Sequence, residues 1–293
     1  MTMSADRVVI VEVGPRDGLQ NEKGEVATQD KLALIAELAD AGLARIEATA
    51  FVAPRWVPQM ADHDAVMRGV GRRPGIVFSA LVPNEKGAEA ALAAGAQALA
   101  VFTAASESFC QKNTNCSIAE SLARFRPVMA LAGRAGVPVR GYVSCALDCP
   151  YEGKIAPEAV AAVSAELLEL GCDEIALSDT LGRGTPERTA AMVEAALRRA
   201  PAAMLAGHFH DTSGQAIANV EAAWLLGLRV FDGSVGGLGG CPYAPGAAGN
   251  LATERLVAHF AAKGIETGVD LARLSMVAER VAQRFRPAGA APR

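Results

Sequence analysis

Apolar, β-branched runs alternate with Ala- and Leu-rich runs of helical period along the whole chain. The first strand is predicted over Arg7 to Val13, RVVIVEV, and TQDKLALIAELADAG follows as a helix, with Thr28 as its cap and Gly42 as its stop. Ala44 to Ala50 is the second strand, followed by a helix over roughly Met60 to Gly71. Gly75 to Val82 is the third, with the helix NEKGAEAALAAG after it. Ala98 to Ala104 is the fourth, with IAESLARFRPVMALAGRAG as its helix. Val137 to Ala146, Asp173 to Asp179, the run AMLAGHFHD and Leu228 to Gly237 complete the strands. Their helices are APEAVAAVSAELLELG, TPERTAAMVEAALRRA, GQAIANVEAAWLLG and about Ala247 to Lys263, with one more near Val269 to Phe285.

Eight strand–helix units in 293 residues predict a (β/α)8 TIM barrel, an α/β fold, spanning 1–293 as a single domain. An additional C-terminal helical segment from about residue 265 is expected to pack on it. A doubly wound open sheet is the competitor, but the first strand runs into GPRDG, which is not a dinucleotide fingerprint. At 51% hydrophobic and 20% charged residues the chain supports a large core. The net charge of −4 and the lack of a basic tract argue against nucleic acid as a partner. The apolar run near the start is short and broken by Glu12, so no signal peptide is expected, and no stretch suits a membrane span. The six cysteines are scattered without zinc-ribbon spacing, which points to reduced thiols and a cytoplasmic protein.

In such a barrel the chemistry sits at the C-terminal ends of the strands. Strand one ends with Arg16 and Asp17, strand two carries Glu47, and strand six ends with Asp179 and Thr180. Strand seven ends with His208, His210 and Asp211, in AGHFHDTSGQA. Residues i and i+2 of a strand share a face, so the two imidazoles project together, as a divalent metal site requires. The alternative is a polar strand end with two partly exposed histidines. After strand eight comes GGLGGCPYAPGAAGN, a glycine-dense loop with Cys241 and Asn250. Such a segment is either a simple connection or a lid, and its cysteine an acid, a nucleophile or a bystander. The other two histidines, His63 and His259, lie in or beside helices without a supporting constellation and are read as structural.

VEVGPRDGLQNE, GYVSCA, HFHDTSGQAIAN and GGLGGCPYAPGAAGN together resemble the 3-hydroxy-3-methylglutaryl-CoA lyases, over about Val8 to Leu274. That resemblance implies a (β/α)8 barrel, a magnesium or manganese ion, an acyl-CoA thioester substrate, acetyl-CoA and acetoacetate as products, and a homodimer. It implies Asp17, His208, His210 and Asn250 as metal ligands, Arg16 as the catalytic arginine and Cys241 as the mobile-loop cysteine. It places Glu47 and Asp179 near the substrate and Lys23 at CoA; Thr180, at the end of strand six, and Asn250 are expected to contact the substrate as well. The chain departs from the family at Phe209, where a smaller residue is expected, at Ser213 for tyrosine, at Ser178 for glycine, and in APGAAGN. These changes spare the expected ligands and bear on the acyl pocket.

Breaking the C2–C3 bond of a 3-hydroxyacyl-CoA removes the C3 hydroxyl proton and leaves C2 as a thioester enolate that must be protonated. A divalent cation lowers the hydroxyl's pKa. Arg16, permanently charged, suits the developing enolate oxygen. His208 is the implied base, with Asp179 or a water as alternatives, because a metal-bound imidazole is a poor base. Cys241 is the expected proton donor to C2. Three other readings compete: a lyase for a longer 3-hydroxy-3-carboxymethyl-acyl-CoA, a Claisen-condensing enzyme, and a catalytically silent binding barrel. Condensing relatives carry more chain after the barrel, and a silent barrel is expected to have lost Arg16, Asp17 or a histidine.

Overall fold

The computed structural model describes residues 7–20, 22, 24–239 and 249–285. Its strands, in chain order, are β1 (Val9–Glu12), β2 (Arg45–Ala50), β3 (Val77–Leu81), β4 (Ala98–Ala104), β5 (Val139–Ser144), β6 (Asp148–Cys149), β7 (Gly153–Lys154), β8 (Glu174–Asp179), β9 (Leu205–Phe209) and β10 (Val230–Gly233). β6 and β7 form a small antiparallel hairpin. The other eight pair in parallel in the order β1-β2-β3-β4-β5-β8-β9-β10, and β10 pairs back onto β1, so the barrel is closed. Closure leaves the eight-stranded sheet without a free edge.

The helices are α1 (Thr28–Asp40), α2 (His63–Val70), α3 (Glu85–Ala94), α4 (Glu107–Thr114), α5 (Ile118–Ala135), α6 (Pro157–Leu170), α7 (Pro186–Leu197), α8 (Ala216–Leu225), α9 (Thr253–Ala262) and α10 (Leu271–Phe285). Local chemistry sets several of their ends. Ser117 and Glu120 form a reciprocal capping box at the start of α5, and the Thr185 hydroxyl caps α7. The extra C-terminal helix, α10, buries Leu274, Val277, Ala278 and Val281 against the barrel. Among the described residues no helix is long and apolar enough to cross a membrane.

The structure departs from the periodicity in four places. β1 stops at Glu12, because the chain then winds into one π-type turn, Gly14–Gly18. β10 stops at Gly233, because Gly236 and Gly237 adopt positive φ in the turn that follows. α9 starts at Thr253 and not near Ala247, since Asn250 and Ala252 bridge to His210 and Ser234 in extended conformation. α4 and the β6–β7 hairpin were not expected at all; α4 is a polar eight-residue helix started by the Ser106 cap, too short to show a period.

The layer between strands and helices is apolar, whereas the barrel lumen carries charge. Register pairs Arg45 with Val77, Glu47 with Ser79, Arg140 with Glu174 and Ser178 with His208. Paired residues of parallel strands share a face, so these polar side chains point into one lumen.

A candidate active site at the C-terminal mouth of the barrel

The π-type turn positions the first two site residues. The amides of Arg16, Asp17 and Gly18 all donate to the Val13 carbonyl, at 3.1, 2.7 and 3.2 Å. π-type turns commonly mark functional positions. Glu12 anchors the turn from below. Its Oε1 accepts from the Gly14 amide at 2.7 Å and the Val235 amide at 2.9 Å, and its Oε2 accepts from the Thr253 hydroxyl at 2.7 Å. A Cβ on Gly14 would lie 2.5 Å from Glu12 Oε1, so a side chain there would push the carboxylate off this anchor. Burial pushes the Glu12 carboxyl up to about 7, against these three hydrogen bonds.

β9 delivers His208 to the lumen, and His210 follows one step beyond the strand on the same side, with ring centroids 5.4 Å apart. Asp17 meets them from across the mouth, and one ligand atom from each of Asp17, His208 and His210 lies within 4.8 Å of the others. Burial and the neighbouring His208 push His210 down to about 4, which leaves its ring neutral. Burial pushes Asp17 up, but Arg16 and both histidines outweigh it and hold the carboxyl well below the usual range. His210 Nδ1 is buried with no hydrogen-bond partner among the described residues. Two imidazoles and an ionised carboxylate converging here make a donor set that fits a divalent cation.

Asn250 joins the cluster through its Nδ2, which donates to Asp17 Oδ2 at 2.7 Å and to the Leu238 carbonyl at 3.3 Å. It stands at the pinched base of the glycine-dense loop. A Cβ on Gly249 would fall 2.0 Å from the Gly239 carbonyl oxygen, and Gly239 itself has φ +105°. The loop that this base carries, with Cys241, lies outside the described residues, as does Lys23.

Arg16 is buried and doubly held. Its Nε donates to Glu47 Oε1 in a short ion pair, and its Nη1 donates to Asp17 Oδ1 at 2.6 Å. Burial disfavours the cation, yet Glu47 and Asp17 keep it charged. Glu47 Oε2 accepts from the Tyr142 hydroxyl at 3.2 Å, and Arg140 Nη1 donates to the same hydroxyl at 3.2 Å. Arg140 Nη2 reaches Asp232 Oδ1 at 2.7 Å, and Asp232 Oδ2 lies 2.9 Å from His208 Nδ1. Sequence reasoning missed Tyr142, Arg140 and Asp232. The available signal was a charged or phenolic side chain in mid-strand, inside VRGYVS and VFDGS.

Asp179 is placed differently from expectation. It pairs in register with Phe209, one residue off the Ser178–His208 pair, so it faces away from the lumen. Its carboxylate accepts from the amides of Gly182, Arg183 and Gly184 at 3.1, 3.4 and 2.8 Å and shapes the following loop. Burial pushes it up to about 6, against those amides. Thr180 Oγ1 accepts from the Cys145 amide at 2.8 Å. Phe209 is buried on the outer side of β9, while Ser178 faces the lumen beside His208. His63 Nδ1 sits 2.7 Å from the Met60 carbonyl oxygen, and His259 Nε2 is 2.9 Å from Glu221, away from the cluster. The five described cysteines are buried and none of them is in a disulfide.

The family model for HMGL-like proteins matches residues 7–281. The chain belongs to the HMGL-like family. It is 55% identical over 278 residues to the hydroxymethylglutaryl-CoA lyase of Pseudomonas mevalonii, covering 95% of this chain and 92% of the relative. The crystal structure of the HMG-CoA lyase from Brucella melitensis superposes with a TM-score of 0.95 at 54% identity, covering 97% of this chain and all of the other. An HMG-CoA lyase from Acinetobacter baumannii, solved with coenzyme A and 3-methylmalate, matches with a TM-score of 0.90 at 36% identity over the full length of both chains.

The mouth therefore combines a metal-competent triad, a fixed guanidinium beside it, and the close approach of Gly239 and Gly249 next to Asn250. That combination suits a reaction in which an oxygen must lose a proton while negative charge builds nearby.

Proposed function

We propose that this protein is a divalent-metal-dependent carbon–carbon lyase that cleaves 3-hydroxy-3-methylglutaryl-CoA to acetyl-CoA and acetoacetate, with the whole chain acting as one barrel domain. The observation that carries the reading is the convergence of Asp17, His208 and His210 beside the fixed Arg16. The relatives' names and the coenzyme A complex of a related lyase support the substrate class. A magnesium or manganese ion would be held by Asp17, His208 and His210, with Asn250 completing the set, and supplies the Lewis acidity that lowers the hydroxyl's pKa.

In the reaction the C3 hydroxyl loses its proton and its oxygen becomes the carbonyl of acetoacetate. The electron pair of the C2–C3 bond passes to C2, and the resulting thioester enolate is protonated there. Arg16 stabilises the enolate oxygen; Glu47 and Asp17 fix its guanidinium in advance, so no reorganisation is needed as charge develops. The hydroxyl proton passes to a water beside His208, because a ring that would hold the ion through one nitrogen and faces the Asp232 carboxylate with the other has no lone pair left to accept it. Asp179, turned out of the lumen, has no part in that transfer and instead orders the loop after β8. Cys241 delivers the proton to C2, and Lys23 and Thr180 contribute to substrate binding. A cytosolic homodimer acting on acyl-CoA thioesters completes the proposal, the compartment resting on the scattered spacing of the cysteines.

The test is a panel of 3-hydroxyacyl-CoA thioesters assayed with Mg2+ and with Mn2+, identifying products by mass. Acetyl-CoA and acetoacetate from the 3-hydroxy-3-methylglutaryl thioester are expected. A far higher kcat/KM for a longer 3-hydroxy-3-carboxymethyl-acyl thioester would move the assignment to that substrate, and no cleavage of either would overturn it.

A further inference from the structure

Asp232 lies in the middle of β10, with its side chain buried between two partners of different character. On one side the Arg140 guanidinium donates to Oδ1 at 2.7 Å; on the other, Oδ2 lies 2.9 Å from His208 Nδ1. Arg140 is held in place in turn by an ion pair with Glu174, Nε 2.8 Å from Oε1 though not aligned for a hydrogen bond, and by Nη1 donating to the Tyr142 hydroxyl. Glu174 is itself gripped by both terminal nitrogens of Arg45, at 2.9 and 2.8 Å. The ring of Tyr142 packs edge-on against the His208 ring at 5.8 Å. The carboxylate thus has one orientation, and the imidazole has one plane.

We propose that Asp232 is a positioning residue that sets the tautomer of His208. A carboxylate facing a guanidinium only accepts hydrogen bonds, so His208 Nδ1 must carry the ring proton. A neutral imidazole has one N–H, so the lone pair lies on Nε2, the nitrogen left to face Asp17 and His210. Arg140 acts one step further back: it keeps Asp232 an acceptor and stops it from turning. The consequence for metal affinity rests on the reading of His208 as a ligand; the consequence for the tautomer does not.

Asp232→Asn makes the inference sharp because it preserves shape. An asparagine has one accepting end and one donating end. Arg140 has only donors, so it takes the oxygen, and the NH2 is forced onto His208 Nδ1. That nitrogen must then accept, the proton moves to Nε2, and the lone pair no longer faces the cluster. Long-range 1H–15N correlation on the metal-free protein reads which ring nitrogen carries the proton in each of the four histidines. His63 and His259, bonded elsewhere, serve as internal controls for an intact fold. The expected result is an Nδ1–H ring at His208 in the wild type and an Nε2–H ring in Asp232→Asn. Mn2+ binding by calorimetry should weaken about 10–100-fold in the variant, the usual effect of losing such an outer partner.

An Nε2–H ring in the wild type would overturn the proposal without any variant having to fold. An unchanged tautomer in Asp232→Asn with normal control resonances would overturn it too. Mn2+ affinity unaltered in His208→Ala would instead count against His208 as a ligand, and a tautomer switch in Asp232→Asn would still support the hold of Asp232 on the ring.

Discussion

Glu12 allows a quantitative test of how the site's foundation depends on pH. Its carboxyl is fully buried, receives two backbone amides and one hydroxyl, and is pushed from 4.5 up to about 7 by burial. A group whose folded pKa lies above its unfolded value contributes stability below the unfolded pKa and loses it as pH rises through the folded one. The window here is therefore about pH 4.5 to 7. The displacement is 7 − 4.5, and at about 1.4 kcal/mol per pKa unit the part that falls between pH 5 and pH 8 amounts to about 2–3 kcal/mol. In Glu12→Gln the side-chain oxygen can keep both amides while the NH2 donates to the Thr253 hydroxyl, and nothing titrates. Urea denaturation of both proteins at half-unit steps from pH 5 to pH 8 isolates the effect, because all other titrating groups cancel in the difference. The variant should gain on the wild type by about 2–3 kcal/mol from pH 5 to pH 8, whatever constant offset the substitution adds. A difference that stays flat, or that moves toward the wild type with rising pH, would refute the reasoning.

Arg16→Lys should lower turnover by on the order of a hundredfold or more with little change in Mn2+ affinity, since one ammonium cannot reproduce the separate bonds to Glu47 and Asp17; near-wild-type turnover in steady-state assays would make Arg16 structural. His210→Ala and Asp17→Ala should abolish Mn2+ binding while circular dichroism shows an intact barrel, and unchanged affinity by calorimetry in both would sink the site assignment. Cys241→Ala should lose most turnover yet bind Mn2+ and substrate analogue as the wild type does; full activity with saturating metal would remove the proton-donor role. Gly182→Ala should destabilise the loop that Asp179 orders, because Gly182 has φ +62° and a Cβ there would fall 2.7 Å from the Thr212 amide nitrogen; an unaltered thermal midpoint would contradict that account.

The amino-acid sequence determined the barrel and the cast of its mouth. Eight apolar runs alternating with helical ones leave little choice of topology, because parallel strands buried on both faces need a helix after each. The i, i+2 spacing of His208 and His210 was enough to put both rings on one side, since side-chain alternation along a strand is a local property. Three things required the folded chain. The inward or outward sense of Asp179 depends on the register of β8 against β9, and one residue's offset turned its carboxylate from the lumen to the backbone of its own loop. The π-type turn that aims Arg16 and Asp17 depends on Glu12, whose partners at Val235 and Thr253 are more than two hundred residues away in the chain. The buried relay from Arg16 through Glu47, Tyr142, Arg140 and Asp232 to His208 joins four strands and the turn after β1, and such pairings are set by which strands the closed barrel brings face to face across its lumen. Local periodicity carries no information about distance across the lumen, so only the tertiary structure decided which charges met.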